Sequence, residues 1–214
     1  MVDKMRVIAG KYRGRHLKGP DGLEMRPTGD RLKESLFGIL SPALPDAIVL
    51  DCFSGTGSIG IEALSRGARQ VVFIESSNTN CRLIRANLKL CGITSGARVI
   101  KEDVFGALRA LGREGFQADV IFFDPPYDFQ PYKDLLEIVF SRGLAAASGR
   151  VVIEHRRKAA LPEEGQNYRR TRITRQGDQC LSFYSGEGIT PPLESRTSRP
   201  QIPEECAQDV RAPE

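Results

Sequence analysis

The sequence predicts an open α/β sheet of the Rossmann-like type, mostly parallel, with helices on both faces. Apolar strand-like runs alternate regularly with helical segments between residues 47 and 154. A glycine-rich loop at residues 51–62 directly follows the first of these runs. Two further β-rich runs, at 168–174 and 180–184, flank a Gln-Gly-Asp turn and predict one antiparallel strand at the end. Such alternation is typical of doubly wound sheets.

The individual elements follow from hydrophobic periodicity and from capping signals. Leu32, Leu36 and Leu40 recur at helical spacing, and Asp30 is placed to cap the start of their helix. Seven strands are predicted, at residues 47–53, 70–75, 98–101, 119–123, 150–154, 168–174 and 180–184. Helices are predicted at residues 26–40, 58–65, 80–90 and 133–141, with a short helix after Asp103.

Length and composition suit a single soluble domain with short extensions. The chain has 214 residues, of which 40% are hydrophobic and 27% are charged. We expect a basic hairpin at residues 1–25, the main domain at 26–185, and a disordered tail at 186–214, where five of the thirteen prolines lie. Because no apolar run reaches membrane-spanning length and no signal peptide is evident, we expect a cytoplasmic protein, acting as a monomer.

The cysteines and histidines give no sign of a metal site. The five cysteines and two histidines form no CxxC motif and no Cys/His cluster. We therefore expect no bound metal, and we expect the first four cysteines to serve as small buried side chains.

Positive charge is concentrated in two segments on either side of the predicted domain centre. Residues 1–18 contain six lysines or arginines and one aspartate, and residues 155–175 contain seven lysines or arginines and two glutamates. Two basic segments around a central domain favour a polyanionic substrate such as RNA. A solvated basic surface without a partner is the alternative interpretation.

The most informative motif is the heptapeptide Ile121–Tyr127, which reads Ile-Phe-Phe-Asp-Pro-Pro-Tyr. A buried strand that ends in Asp-Pro-Pro-Tyr presents a carboxylate, rigidly held carbonyls and an aromatic ring at one sheet edge. The carboxylate and a carbonyl can accept both N–H groups of an exocyclic amine, and the ring can stack on the base. The motif therefore favours methyl transfer to an amine nitrogen, although a turn that simply ends the strand would use similar residues.

The glycine-rich loop predicts a cofactor site. Gly55, Gly57 and Gly60 form a G-x-G-x-x-G motif after the first strand, and Glu75 ends the second strand. Dinucleotide-binding enzymes share this pattern, so an NAD-dependent oxidoreductase is one interpretation.

Four acidic residues favour a different cofactor. Asp51, Glu75, Asp103 and Asp124 each lie at the end of a predicted strand and would line one crevice. Such a crevice would repel the phosphates of NAD but would attract the sulfonium and ammonium groups of S-adenosylmethionine.

The chain resembles the class I S-adenosylmethionine-dependent methyltransferases and, more closely, the bacterial 16S ribosomal RNA guanine-N2 methyltransferases. The resemblance runs from Arg6 to Tyr184. The stretches that carry it are Arg6-Val-Ile-Ala-Gly with Arg13-Gly-Arg, then Arg26-Pro-Thr-Gly-Asp-Arg, then Asp51-Cys-Phe-Ser-Gly-Thr-Gly-Ser-Ile-Gly-Ile-Glu-Ala-Leu-Ser-Arg-Gly-Ala, and finally Asp124-Pro-Pro-Tyr.

This resemblance implies three groups of functional residues. The cofactor would be bound by Asp51, Phe53, Gly55, Thr56, Gly57, Gly60, Glu75, Asp103 and Val104. The target base would be held by Asp124, Pro125, Pro126 and Tyr127. The RNA would be contacted by Arg6, Lys11, Arg13, Arg15, Arg26 and Arg31.

The implied reaction is transfer of a methyl group to the N2 amine of a guanine in 16S ribosomal RNA, free or in the small ribosomal subunit. The same Pro-Pro-Tyr chemistry serves amino methyltransferases that act on adenine N6 or cytosine N4 in DNA or another RNA, or on a protein glutamine. A non-catalytic RNA-binding module of this fold is a further alternative, but the complete set of four acidic residues disfavours it.

Overall fold

The computed structural model describes residues 5–19 and 27–186, with side chains for 5–19 and 31–186. The predicted RNA-contact residue Arg26 and residues 187–214 of the predicted tail lie outside this part of the chain. Among the helices in the described ranges, none is long and apolar enough to cross a bilayer.

Eight strands form one sheet in the spatial order β3-β2-β1-β4-β5-β8-β7-β6. The strands are β1 (Ile48–Cys52), β2 (Gln70–Glu75), β3 (Ala97–Lys101), β4 (Ala118–Phe123), β5 (Ala145–Arg156), β6 (Glu164–Gly165), β7 (Tyr168–Gln176) and β8 (Gln179–Gly186). The first five strands pair in parallel, whereas β8 is antiparallel to both β5 and β7. The predicted Rossmann-like sheet with a closing antiparallel strand is confirmed.

Helices cover both faces of this sheet. They are α1 (Pro27–Leu40), α2 (Ser58–Ser65), α3 (Asn78–Cys91), α4 (Val104–Arg113) and α5 (Tyr132–Ser141), and a short 3-10 turn (Ser41–Ala43) follows α1. Side chains of α1, α2 and α3 pack on the sheet face that includes Val49. Side chains of α4 and α5 pack on the face that includes Leu50. Each fully buried Leu or Ile in these two cores contributes about 1.5–3 kcal/mol.

Two predictions about the elements were wrong. The sheet has eight strands and not seven, because the two-residue strand β6 pairs with Tyr168 and Arg169 at the sheet edge. Two residues are too few to produce a periodic pattern in the sequence. The first helix begins at Pro27, so Asp30 lies inside its first turn and does not precede it. Proline suits the first turn of a helix because the N–H that it lacks would have no helical partner there.

The basic N-terminal segment folds back on itself and packs against the domain. Arg6 and His16 form an antiparallel bridge, and the Leu17 N–H donates to the Met5 carbonyl over 2.8 Å. Met5, Val7 and Leu17 are buried in the core that also contains α1, α2 and α3. We call residues 5–18 the basic hairpin.

Candidate active site

The strand order brings the four predicted acidic residues to one edge of the sheet. Parallel strands β3, β2, β1 and β4 lie side by side, so their carboxyl ends meet at that edge. Asp103 follows β3, Glu75 ends β2, Asp51 lies near the end of β1, and Asp124 follows β4. They form an acidic crevice at the usual ligand-binding edge of an open α/β sheet.

The loop after β1 is a tight turn with left-handed backbone. Phe53, Gly55 and Gly57 have φ values of 58°, 54° and 76°. The Gly57 N–H donates to the Ser54 carbonyl over 2.7 Å, which closes the turn. A left-handed phenylalanine is sterically costly, and such strain is found at ligand sites more often than elsewhere.

Glu75 holds this loop in place. Its Oε2 accepts a hydrogen bond from the Gly55 N–H over 2.9 Å, and its Oε1 accepts one from the Ser77 N–H over 2.7 Å. A carboxylate can accept about four hydrogen bonds, so these two leave acceptor capacity for a ligand hydroxyl.

Asp51 is a buried carboxylate beneath the loop. Its Oδ2 accepts a hydrogen bond from the Gly60 N–H over 3.0 Å. Burial raises the pKa of Asp51 well above its ordinary value; the Gly60 hydrogen bond opposes this shift, and the negative charges of Asp124 and Glu75 add to it. A cation bound in the crevice would oppose this rise in the pKa of Asp51 and stabilise its ionised form.

Gly60 contributes to packing within the site. It lies in α2, where a Cβ atom would overlap the buried ring of Phe73 on β2. The third glycine of the motif thus allows α2 to approach the sheet closely, which keeps the start of the helix next to Asp51.

Asp103, which follows the third strand, caps the start of helix α4. Asp103 Oδ1 accepts a hydrogen bond from the Gly106 N–H over 3.0 Å, which caps α4, while the residue stays exposed. Val104, the first residue of α4, is buried.

Three aromatic residues that sequence reasoning missed, Phe105, Phe129 and Tyr132, cluster with the predicted cofactor residue Phe53. The ring of Phe129 is 5.4 Å from that of Phe53, 6.4 Å from that of Phe105 and 5.2 Å from that of Tyr132. Phe105 follows Val104, and Phe129 comes two residues after the Asp-Pro-Pro-Tyr motif. Aromatic residues directly after an acidic strand end were the available signal, because such rings can stack on a flat ligand.

The Asp-Pro-Pro-Tyr motif begins where β4 ends. The Asp124 N–H donates to the Cys52 carbonyl over 3.4 Å, which ties the motif to β1. Surrounding protein reduces hydration enough to raise the pKa of Asp124 to about 6, although its side chain remains accessible to solvent. Pro125 is buried, and the Pro126 carbonyl accepts the Phe129 N–H over 2.9 Å.

Tyr127 stands out from the surface beside Asp124. The residue is 66% exposed, so its ring is available to a ligand. The guanidinium of Arg156 lies 4.1 Å from the ring centroid and covers one ring face. The opposite face of the ring is therefore the one on which a base would stack.

Glu154 is a second carboxylate of the site that sequence reasoning missed. It lies near the end of β5, which is the strand next to β4. Burial, reinforced by the negative charge of Asp124, raises the pKa of Glu154 to about 8. No contiguous motif signals this residue, because it reaches Asp124 only through the pairing of two strands.

The basic hairpin is linked to the loop after β1. Buried Asn87 on α3 accepts a hydrogen bond from the Lys18 N–H over 2.7 Å and donates one to the Thr56 carbonyl over 2.9 Å. The Thr56 hydroxyl donates to the Met5 sulfur over 3.4 Å. The side chains of the predicted RNA-contact residues in the described part of the chain are exposed, namely Arg6, Lys11, Arg13, Arg15 and Arg31.

The fold and the crevice together define a class I methyltransferase, a class whose methyl donor is S-adenosylmethionine. The donor carries a sulfonium and an ammonium, and the buried, charge-crowded Asp51 is the kind of group that a cationic ligand would stabilise. The family model described as Conserved hypothetical protein 95 matches residues 5–185. The chain belongs to this family, which includes ribosomal RNA methyltransferases.

Similar proteins of known name cover nearly the same part of the chain. It is 32% identical over 184 residues to Ribosomal RNA small subunit methyltransferase D of Escherichia coli K12, covering 86% of this chain and 91% of that protein. It is 34% identical over 152 residues to the protein of the same name from Haemophilus influenzae, covering 71% of this chain and 78% of that protein.

A solved structure of a hypothetical protein from Thermus thermophilus has the same fold. The TM-score is 0.71 and the sequence identity is 30%, with 84% of this chain and 98% of that chain covered.

Proposed function

We propose that this protein transfers a methyl group from S-adenosylmethionine to the exocyclic N2 amine of a guanine in 16S ribosomal RNA. The observation that carries the proposal is the position of Asp124 and Tyr127, which lie at the end of β4 beside the acidic crevice. The family membership and the two relatives named for the ribosomal small subunit support RNA as the substrate.

The crevice would hold the donor through several of its own groups. Asp51 and the Gly55–Gly57 loop would bind the methionine part, and Glu75 would bind the ribose hydroxyls. Asp103 and Val104 would meet the adenine, with Phe105 and Phe129 as aromatic neighbours. When bound, S-adenosylmethionine supplies an electrophilic methyl group on a sulfonium, which is already a good leaving group.

The Asp-Pro-Pro-Tyr motif would orient the acceptor amine. The lone pair of a guanine amine is delocalised into the ring, so the amine is a weak nucleophile. Asp124 and the Pro125 carbonyl would accept its two N–H groups, hold the nitrogen in line with the methyl group and favour a more tetrahedral geometry. Asp124 would accept the proton that the product amine releases, and Tyr127 would stack on the base, at about 1–3 kcal/mol.

The exposed arginines and lysines of the basic hairpin would contact RNA phosphates. Four exposed basic residues lie on this hairpin, namely Arg6, Lys11, Arg13 and Arg15. Hydrogen bonds of Asn87 connect the hairpin to the loop after β1. We further propose that the protein acts as a monomer in the cytoplasm, where ribosomal subunits are assembled.

Methyl transfer to ribosomal RNA tests the proposal directly. Purified protein and methyl-labelled S-adenosylmethionine would be incubated with 16S RNA, or with small subunits, from a bacterium that lacks the corresponding gene. After digestion to nucleosides, mass spectrometry would identify the labelled product. We expect label in N2-methylguanosine. Label in N6-methyladenosine or N4-methylcytidine would reassign the base, and absence of label despite donor binding would contradict an RNA substrate.

A further inference from the structure

We infer that Glu154 reads the Watson–Crick edge of the target guanine beside Asp124, accepting a hydrogen bond from the guanine N1–H. The inference rests on the proposed function and adds to it a residue that selects the base. It gives the end of β5 a part in the acceptor site that the Asp-Pro-Pro-Tyr motif alone does not describe.

Strand register places the two carboxylates together. In the parallel pairing of β4 with β5, Phe123 lies opposite Ile153. Asp124 follows Phe123 and Glu154 follows Ile153, so these two residues also lie opposite each other. Residues that lie opposite each other in adjacent strands point to the same face of a sheet. The hydrogen bond from the Asp124 N–H to the Cys52 carbonyl keeps Asp124 at the sheet edge, where this register still applies.

Glu154 is anchored from its other side. Gln179 on β8 donates a hydrogen bond from Nε2 to Glu154 Oε1 over 2.9 Å. The antiparallel register sets Gln179 opposite Arg156, so Gln179 is a diagonal neighbour of Glu154 on the sheet surface. Oε1 is thereby fixed in position, and its second lone pair remains free to accept a hydrogen bond from a ligand.

The electrostatics of the pair match the edge of guanine. Reduced hydration raises the pKa of Asp124 to about 6, and burial together with the negative charge of Asp124 raises that of Glu154 to about 8. Between these pH values Asp124 is therefore ionised and Glu154 carries a proton. Adjacent amine and N1 groups give guanine two neighbouring donors, and its O6 is an acceptor. Asp124 would accept a hydrogen bond from the N2 amine. The neutral Glu154 would accept one from N1–H through Oε1 and would donate its own proton from Oε2 to O6.

A guanine that is methylated on N1 tests this contact. Once the modified position has been located, a synthetic RNA with guanine or 1-methylguanine there would be ligated into 16S RNA and assembled into small subunits. A site that pairs N1–H rejects a base that lacks this donor, by about 100-fold or more in kcat/KM. The added methyl group would also collide with the Glu154 carboxylate.

Glu154→Ala should remove both the acceptor for the guanine N1–H and the side chain with which the methyl group of 1-methylguanine would collide. We expect kcat/KM on guanine subunits to fall about tenfold or more, and the preference for guanine over 1-methylguanine to narrow about tenfold. Glu154→Gln keeps one acceptor oxygen and the same bulk, so it should retain most of the activity and the preference. Glu114→Ala, at an exposed helix end, is the matched control and should change neither quantity.

The outcomes separate this inference from the proposed function. If the wild-type enzyme forms no N2-methylguanosine, both are overturned. If it does, and Glu154→Ala changes turnover on guanine but leaves the preference unchanged, Glu154 has only a structural role. Should Glu154→Ala fail to fold, Glu154→Asp, which keeps the carboxyl group on a shorter side chain, should still narrow the preference for guanine over 1-methylguanine. An unchanged preference in this variant would equally overturn the inference.

Discussion

Asp124 combines an accessible side chain with a pKa raised to about 6. Its proposed role requires the ionised form, because a carboxyl group that already carries a proton cannot take up the one that the amine releases. Turnover should therefore be lost as the pH falls through about 6, while a group with an ordinary aspartate pKa of about 3.9 would remain ionised there.

Asp124→Asn should lower turnover about 100-fold or more while leaving donor binding little changed, because the amide cannot take the proton. Asp128→Asn changes a nearby exposed aspartate and serves as the control. Methyl transfer to small subunits and calorimetric binding of S-adenosylhomocysteine would supply the two measurements. Full turnover by Asp124→Asn would exclude Asp124 as the acceptor of the amine proton.

The stacked pair of Arg156 and Tyr127 leads to a second expectation at the residue scale. Removing the guanidinium in Arg156→Ala leaves the Tyr127 ring free to rotate, which should lower kcat/KM about two- to fivefold, the range of an exposed cation–π contact. Arg156→Lys, which keeps the positive charge, should lower kcat/KM by a smaller factor.

A tryptophan in place of Tyr127 can report the contact with Arg156. The chain contains no tryptophan, so Tyr127→Trp would introduce a single tryptophan, whose emission can be excited apart from that of the tyrosines. Its emission should shift when Arg156→Ala is added and should be quenched by RNA. Identical emission with and without Arg156 would show that the contact does not persist in solution.

At the scale of elements, the approach of α2 to β2 depends on Gly60. Gly60→Ala would push a methyl group into the fully buried Phe73 ring and should destabilise the fold by about 1–3 kcal/mol. Gly38→Ala is the matched control, because Gly38 lies in α1 with no atom within 4 Å of an added Cβ.

The control variant should behave in the opposite way. Alanine at Gly38 should stabilise the protein by about 0.5–1 kcal/mol through helix propensity. Thermal unfolding would measure both variants, with about 2–4 °C of Tm for each kcal/mol in a chain of this size. A Tm for Gly60→Ala at or above that of the wild type would show that Phe73 can move aside.

Sequence patterns predicted elements better than contacts between them. The strand Gln70–Glu75 was predicted with its observed bounds because its apolar run is short and clearly delimited. The strand predicted at 150–154 extends over Ala145–Arg156, since small residues such as Ala146 and Gly149 give no β pattern. The Asp-Pro-Pro-Tyr motif was visible because it is contiguous. Glu154 was missed because only the pairing of β4 with β5 brings it to Asp124.

For the molecule as a whole, the basic hairpin should supply much of the electrostatic attraction to RNA. Replacing Arg13 and Arg15 together with serine should weaken binding to 16S RNA and should reduce the slope of log affinity against log salt by about 2. Arg109 and Arg113, exposed on α4 at the other sheet face, form the control pair.

Fluorescence anisotropy over a range of salt concentrations would measure these slopes. The Arg109 and Arg113 double variant should keep the wild-type slope. Equal slopes for both double variants would contradict a specific role of the hairpin, and a larger loss in the control pair would move the RNA-binding surface to the α4 face.

The attachment of the hairpin to buried Glu62 limits how this enzyme can be re-engineered. Glu62 accepts the N–H groups of Ile8 and Ala9 over 2.7 and 3.0 Å and pairs with Arg66 over 2.7 Å. A truncated enzyme that starts after the hairpin would leave this carboxylate without two of its donors and would uncover the apolar surface beneath. Because these donors are backbone groups, a chimaera that borrows the hairpin of a relative would fit only a recipient that keeps a carboxylate at residue 62 of α2.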